Sequence, residues 1–405
     1  VIDLKAARND VPGTRSALAR KGAAEAFDAL IAADEAWRAL VPRVDELRGR
    51  TKLKGKPTPE QLEEMKAVKV ELQELEARIA AAETERDRLL DFVPNPPHAS
   101  VPDGGEDDFI VLREVGTIPQ IAEPKEHTEL GRFDMERAAR LSGSRFGYTM
   151  GAAALLQLAV FQMAVSKLAG KGFTPVLPPV LVREEAMYGT GFLPTDAANL
   201  YKLETDELYL TGTSEVALAG IHMGEILSPS ELPARYSGWS TCFRREAGAA
   251  GKDTRGMFRL HQFDKVEMFV FCRPEDSWAE HDAVLANEEE LLQALELPYR
   301  VILTAAGDLG ASAAKKYDCE AWFPFQGRYR EVTSTSNTTD FQARRLGIRW
   351  RGEKGVESLH TLNGTAVTGR AVMAVLENHQ QPDGSVKVPE ALWAYGAPKV
   401  IEPGA

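Results

Sequence analysis

From Leu62 to Ala82, apolar side chains return at alternating steps of three and four residues: Leu62, Met65, Val68, Leu72, Leu75, Ile79 and Ala82. That rhythm is the seam of a coiled coil, because a 3.5-residue spacing keeps one stripe turned toward a partner helix. The partner lies upstream, where Phe27, Leu30, Trp37, Val41, Val44 and Leu47 repeat the pattern. Between the two runs "GRTKLKGKPTP" (49–59) supplies the glycines and prolines that end one helix and open the next. The chain therefore forms an antiparallel helical hairpin over 27–92 with its tip near Lys54, within an N-terminal domain of residues 1–92. Pro42 inside the first helix is expected to kink or divide it.

The hairpin is unevenly charged. Arg43, Arg48, Arg50, Lys52, Lys54 and Lys56 gather toward the tip, while the second helix is mostly acidic. Taken alone such a run is a solvated helix surface; a rod with a cationic end also suits a long polyanion better than a small metabolite. Prolines in "VPNPPHASVPDGGEDD" (93–108) stop the second helix, and 93–110 reads as a linker to a domain over 111–405.

With 405 residues, 44% of them hydrophobic and 27% charged, the chain has the composition of a globular protein of two or three domains. The net charge of −12 argues against indiscriminate nucleic-acid binding and confines any such contact to a local basic patch. Cys242, Cys272 and Cys319 form no CxxC pair or ligand cluster and are expected as reduced, structural thiols. "VIDLKAARND" is charged where a secretory signal is apolar, and the longest apolar run, from Met150, is broken by Gln157 and Gln162. No membrane segment and a cytoplasmic location are expected.

Beyond the linker a helix around Ala152–Leu168 precedes stretches of period two, among them "GWSTCFRRE", "FRLHQFDKVEMFVF", "YDCEAWFPF" and "RYREVTSTS". Helices at 275–296 and 368–379 separate or follow them. Strands joined by turns, with helices grouped outside, predict an α+β domain on an antiparallel sheet. Neither GxGxxG nor a P-loop occurs, so the common nucleotide folds are not supported.

The segment 243–269, "FRREAGAAGKDTRGMFRLHQFDKVEMF", sets cations and carboxylates around a glycine-rich turn. If 239–246 and 258–270 are paired strands, Arg244 and Glu246 share one face, and Arg259, His261, Phe263, Lys265 and Glu267 another. A guanidinium that forks onto phosphate, a ring that stacks on a base and carboxylates that accept amine protons then line one surface. Such a surface suits a nucleoside triphosphate and an amine-bearing substrate; a hairpin laced with surface salt bridges gives the same pattern.

This segment resembles motif 2 of the class II aminoacyl-tRNA synthetases, in the form found in seryl-tRNA synthetases. The resemblance continues through "YGTGFLP" (188–194), "LTGTSEVAL" (210–218), "REVTSTSNTTDFQARR" (330–345), "TLNGTAVTGRAVMAVLENHQ" (361–380) and "DGSVKVPEAL" (383–392), and with the hairpin it spans essentially the whole chain. It implies catalytic roles for Arg244, Glu331 and Arg370, with Arg244 on the ATP α-phosphate and Arg370 on the γ-phosphate. It implies that Arg245, Glu246, Leu260, Phe263, Val332, Thr333 and Ser334 also contact ATP, Phe263 by stacking on adenine, and that Glu331 and Ser334 hold Mg²⁺. Strand parity puts residues 331 and 334 on opposite faces unless a bulge intervenes. Thr213, Ser214, Glu215, Glu267 and Thr365, with Arg244, are implied to bind L-serine.

The implied reaction is activation of serine to seryl-adenylate, followed by transfer to the terminal adenosine of tRNA(Ser), with tRNA(Sec) the family's usual second acceptor. The hairpin would grip the long variable arm of the tRNA across a homodimer whose interface is built by the region ending at Pro179. Three departures stand out: an arm a few turns shorter than the family's usual one, Pro42 within it, and Thr335 where many relatives have cysteine. The alternatives are a specialised or inhibitor-resistant second copy, a ligase that serves a carrier protein, and a non-catalytic coiled-coil regulator. The arm counts against the carrier ligase, and retention of Arg244, Glu331 and Arg370 together against the regulator.

Overall fold

A computed structural model describes residues 1–51, 58–247, 256–353 and 355–404. Lys52, Lys54 and Lys56 at the hairpin tip, and the cationic loop 248–255, lie outside the described residues. Contacts divide the chain into two units, Val1–Pro96 and Pro97–Ala405.

In the first unit two short helices, Leu4–Asn9 and Val11–Ala19, precede the long pair α1 (Ala24–Arg50) and α2 (Pro59–Phe92). Thr58 opens α2 with a capping box: its hydroxyl accepts from the Gln61 amide at 3.3 Å and the Gln61 side chain accepts from the Thr58 amide at 2.9 Å. Pro59 at the first helical position needs no amide hydrogen bond there. Val44, Leu47, Val68 and Leu75 make the buried seam, with Leu40, Leu72 and Ile79 packed against it. Leu62, expected in the seam, is instead 47% exposed.

Pro42 does not divide α1, which runs unbroken past it. The residue sits on the exposed side, where water can satisfy the carbonyl freed one turn earlier. Nor are Arg43, Arg48 and Arg50 free charges: Arg43 pairs with Glu46 and Glu71, Arg48 with Glu76 and Arg50 with Glu64. Most of these pairs cross between the two helices, so the acidic partners on α2 offset the cationic stripe on α1.

The second unit is built on an eight-stranded sheet. In chain order its elements are β1 (Ile110–Val115), α3 (Gly151–Gly170), β2 (Thr174–Val176), α4 (Glu215–Ala219), β3 (Ala234–Phe243), β4 (Gln262–Cys272), α5 (Ser277–Ala294), β5 (Tyr299–Leu303), β6 (Lys315–Phe323), β7 (Arg328–Asn337), α6 (Phe341–Leu346), β8 (His360–Thr368) and α7 (Gly369–Asn378). The strands lie in the order β1-β5-β6-β7-β8-β4-β3-β2, antiparallel throughout except for β2 beside β3. The observed fold is thus α+β with an antiparallel sheet and a helical hairpin.

The core gathers Leu156, Val160 and Phe161 of α3 with Val266, Met268 and Val270 of β4 and Val372, Val375 and Leu376 of α7. By length and composition α3 is apolar enough to cross a membrane, contrary to the reading of its sequence; here its buried side chains pack into this core. Residues 97–104, expected within a linker, are strapped to this unit. The His98 amide donates to Ala314 O, and Pro102 O and Gly104 O accept from the Ala306 and Gly307 amides.

Three register slips shape the sheet: one lies at Leu112 of edge strand β1, opposite β5, and two lie deeper in the sheet. Between β6 and β7, Cys319 faces Thr333 and Glu320 faces Glu331, so Val332 is the extra residue of a bulge. Between β4 and β8, Val266 faces Val367 and Glu267 faces Thr365, leaving Ala366 extra. Both bulges lie against the cavity described next.

Candidate active site

A cavity of about 920 Å³ opens over β4, β6, β7 and β8 and is closed in part by the start of α7. The bulge at Val332 resets the alternation of β7, so Glu331 and Ser334 line the same cavity although three residues apart. The bulge at Ala366 does the same for Thr365 and Thr368.

Arg244 follows directly after β3. Its Nε donates to Gly212 O at 3.1 Å, and its guanidinium carbon lies 5.3 Å from the centre of the Phe263 ring. The backbone here is fixed by His261, whose carbonyl accepts from the Arg244 amide and whose Nδ1 lies 2.9 Å from Arg244 O. His261 therefore orients the strand end and is absent from the cavity wall, despite the parity expected of it. β3 stops at Phe243, and Glu246 adopts φ 53°, outside strand geometry. The Glu246 carboxylate still reaches the wall, accepting from Arg259 Nη1 at 2.5 Å.

On the far side Arg370 donates Nη1 to Glu331 O at 3.0 Å and lies 3.7 Å from Glu331 Oε1. Its guanidinium carbon rests 4.6 Å from the centre of the Phe258 ring, which Arg330 also covers at 3.8 Å. Burial works against the charge on Glu331, but Arg370, Lys316, Arg244 and Lys265 outweigh it and hold the carboxyl below its usual range. The site keeps this carboxylate ionised and leaves it half exposed to the cavity.

A third region carries buried carboxylates. Thr365 Oγ1 donates to Glu267 Oε2 at 3.4 Å, and Lys265, itself buried, forms an ion pair with Glu267. Glu215 opens α4. Its Oε1 accepts from Gln342 Nε2 at 2.7 Å and from Asn363 Nδ2 at 2.8 Å. Burial first, then the negative charge of Glu267, pushes its pKa up to about 7. Thr213 stands beside it and accepts from the Glu215 amide at 3.2 Å.

The cavity thus brings together Arg244, Glu246, Leu260, Phe263, Glu331, Val332, Ser334 and Arg370 with Thr213, Glu215, Glu267 and Thr365. Besides His261, three residues given site roles by the sequence do not line it. Ser214 is fully buried, its hydroxyl 2.7 Å from that of Ser240. Thr333, just past the bulge, points away and donates to Glu288 Oε2 at 2.8 Å. Arg245 turns its guanidinium toward the Tyr201 ring, at 5.8 Å.

Phe258, Gln342 and Asn363 were not singled out. Gln342 and Asn363 lie inside quoted motifs, but nothing in their sequence spacing marks them as partners of Glu215. Among the described residues no group of three or more His, Cys, Asp or Glu side chains could hold a metal ion.

Comparison with known proteins gives a consistent picture. Residues 201–379 match the family model of the tRNA synthetase class II core domain (G, H, P, S and T), and residues 1–97 match that of the seryl-tRNA synthetase N-terminal domain. The serine–tRNA ligase of Mycolicibacterium vanbaalenii is 52% identical over the full length of both chains, and that of Rhodococcus jostii is 50% identical over the same extent. Among solved structures, the seryl-tRNA synthetase of Pyrococcus horikoshii complexed with ATP superposes with a TM-score of 0.94, at 40% identity over all of both chains. The cytoplasmic serine–tRNA ligase of Naegleria fowleri in complex with AMP gives 0.89 at 34% identity, covering 97% of this chain and 95% of that one. Identity of this order runs through both units from end to end, and the chain belongs to the seryl-tRNA synthetase family of class II aminoacyl-tRNA synthetases.

Proposed function

We propose that the protein is a serine–tRNA ligase that activates L-serine with ATP and transfers it to tRNA(Ser). One observation carries the reading: a single cavity is lined by two guanidiniums, Arg244 and Arg370, and by the buried carboxylates Glu215 and Glu267. Triphosphate and amino acid are then held side by side.

Arg244 takes the α-phosphate and Arg370 the γ-phosphate, with Phe263 as the platform for adenine and Leu260 and Glu246 at its edge. The serine ammonium meets Glu215 and Thr213, and its hydroxyl meets Glu267 and Thr365. The serine carboxylate attacks the α-phosphorus and pyrophosphate leaves; a ribose hydroxyl of the tRNA then attacks the activated carbonyl. No side chain acts as nucleophile, and the rate comes from placement and from the guanidiniums stabilising charge on the phosphates.

The residues present fit magnesium as a partner of ATP. Glu331 is kept ionised by its cationic neighbours and shares its wall with Ser334, a pair of oxygen donors too few to cage the ion alone. Phosphate oxygens and water would complete the shell. When bound, the ion neutralises phosphate charge.

Selectivity has the same basis. Alanine would leave the Glu267–Thr365 pair facing an apolar methyl, and a site built to bond a hydroxyl rejects the analogue lacking it by roughly 10⁴-fold or more. Threonine meets only the steric bar of its extra methyl.

The arm serves tRNA binding, through the tip lysines and the arginines of α1, with tRNA(Sec) as a second acceptor and the cytoplasm as the place of work. A homodimer is supported by exposed apolar side chains on edge strand β1 (Ile110, Val111 and Leu112) and around α3 and β2 (Leu155, Leu158 and Leu177). Pyrophosphate exchange with each amino acid, followed by charging of tRNA(Ser) and tRNA(Sec) transcripts, tests the reading. Exchange without charging would indicate a carrier ligase, and no exchange a regulator.

A further inference from the structure

Gln342, on α6, is fully buried and has no place in the proposed chemistry, yet both hydrogens of its amide and the amide oxygen are engaged. Nε2 donates to Thr190 O at 3.1 Å and to Glu215 Oε1 at 2.7 Å. Oε1 accepts from Thr361 Oγ1 at 2.9 Å and lies 3.3 Å from Thr338 Oγ1. The two threonine hydroxyls are themselves 2.6 Å apart, and Thr338 also reaches Thr361 O at 2.8 Å. Because Thr190 O is an acceptor only, the nitrogen must face it, and the amide has one possible orientation.

That orientation determines what Glu215 can do. With Gln342 and Asn363 both on Oε1, Oε2 has no donor among the described residues, and the residue lines the cavity. A buried carboxylate with one oxygen held by two N–H groups and the other bare is a receptor for a cation.

We propose that Gln342 is a positioning residue of the serine subsite: braced by Thr338 and Thr361, its amide fixes the Glu215 carboxylate so that Oε2 receives the substrate ammonium. The inference rests on the seryl-tRNA ligase reading given above. Its reach extends further than Glu215, because Thr361 and Asn363 sit on β8, the strand that also carries Thr365. The brace therefore ties the ammonium-binding wall to the hydroxyl-binding wall through one strand.

The other charges facing Glu215 are Glu267, which opposes its ionisation, and Lys265 and Arg244, which favour it. Loss of the Gln342 donor removes one favourable contact and leaves the repulsion from Glu267 in place. The carboxyl then titrates at higher pH and is neutral over more of the working range.

The test is pyrophosphate exchange with the full chain, comparing wild type with Gln342→Met, which keeps the side chain's length and removes its hydrogen bonds. A hydrogen bond to a charged group predicts a rise in serine KM of about 10- to 100-fold. The ATP KM should stay within about twofold, and the pH dependence of serine KM should move to higher pH. Thr361→Val removes the brace without touching Glu215 and should raise serine KM in the same direction, while Thr361→Ser keeps the hydroxyl and should restore it. The Thr361 pair decides the matter if Gln342→Met does not fold.

Serine KM unchanged in both Gln342→Met and Thr361→Val would overturn the proposal, as would serine and ATP KM rising by a common factor. Wild-type protein that shows no serine-dependent exchange would overturn the underlying reading, a result distinct from either.

Discussion

Glu267 and Thr365 face each other across β4 and β8, their side chains 3.4 Å apart at the one place where the register of those strands slips. Thr365 spends its proton on Glu267 Oε2, so serine's hydroxyl would enter a pair already matched to a donor and an acceptor. Thr365→Ala should lower kcat/KM for serine by about 10- to 100-fold. Alanine should lose far less, so the ratio of the two in pyrophosphate exchange should narrow.

Glu215 gives the subsite a pH dependence. Its carboxyl is pushed up to about 7, so below that pH it becomes neutral and releases its hold on an ammonium group. Serine KM should rise as pH falls from 8 to 6 while ATP KM does not. The same shift affects stability with the opposite sense. The folded chain holds this proton more tightly than the unfolded chain, so the contribution is full below the ordinary carboxylate range and is lost as pH rises through 7. Glu215→Gln should abolish activity and yet raise stability at pH 8, by roughly 1–3 kcal/mol in urea unfolding, with the gain vanishing near pH 4.

Arg370 lies on Phe258 and holds the Glu331 carbonyl, so its planar fork is fixed before any ligand arrives. Lysine can supply charge there but neither the stacking nor the fork. Arg370→Lys should cut kcat in pyrophosphate exchange by about 100-fold, with little effect on serine KM.

Gly364 has no room for a side chain. A Cβ there would stand 2.3 Å from Val284 Cγ1 and 3.0 Å from Glu288 Oε1. Gly364→Ala should destabilise the second unit by about 1–3 kcal/mol, read as a lower urea midpoint at unchanged slope.

Neutralising Lys52, Lys54 and Lys56 should leave adenylate formation intact and weaken tRNA charging. If each lysine meets one phosphate, the slope of log affinity against log salt should flatten by about 0.9 per lysine removed. Arg48→Gln should have a smaller effect, because Glu76 already engages that guanidinium.

The hairpin and the antiparallel sheet were legible because they rest on periodicity, 3.5 in one unit and 2 in the other. Much of the candidate site was legible too, through spaced motifs whose side chains line one cavity. What escaped depended on contacts between distant segments. Ser214 and Thr333 sit within those motifs, but their neighbours Ser240 and Glu288, far away in sequence, draw them off the wall. The role of Gln342 requires Thr190, Glu215 and Thr361 to converge, and no local pattern announces that. That α1 continues undivided past Pro42 was not legible either, because propensity says nothing about which side of a helix faces water.

The extra residues Val332 and Ala366 have a consequence for how such a site is spelled. Two perfect pleats would oblige the functional letters to fall at even intervals; one surplus residue in each lets them fall three apart. Deleting either would turn the following half-strand inside out, sending Ser334 or Thr368 to the opposite side. The odd-numbered spacing in this chain's text is therefore the trace of an irregular backbone, and an insertion or deletion there would be harder to tolerate than almost any single replacement nearby.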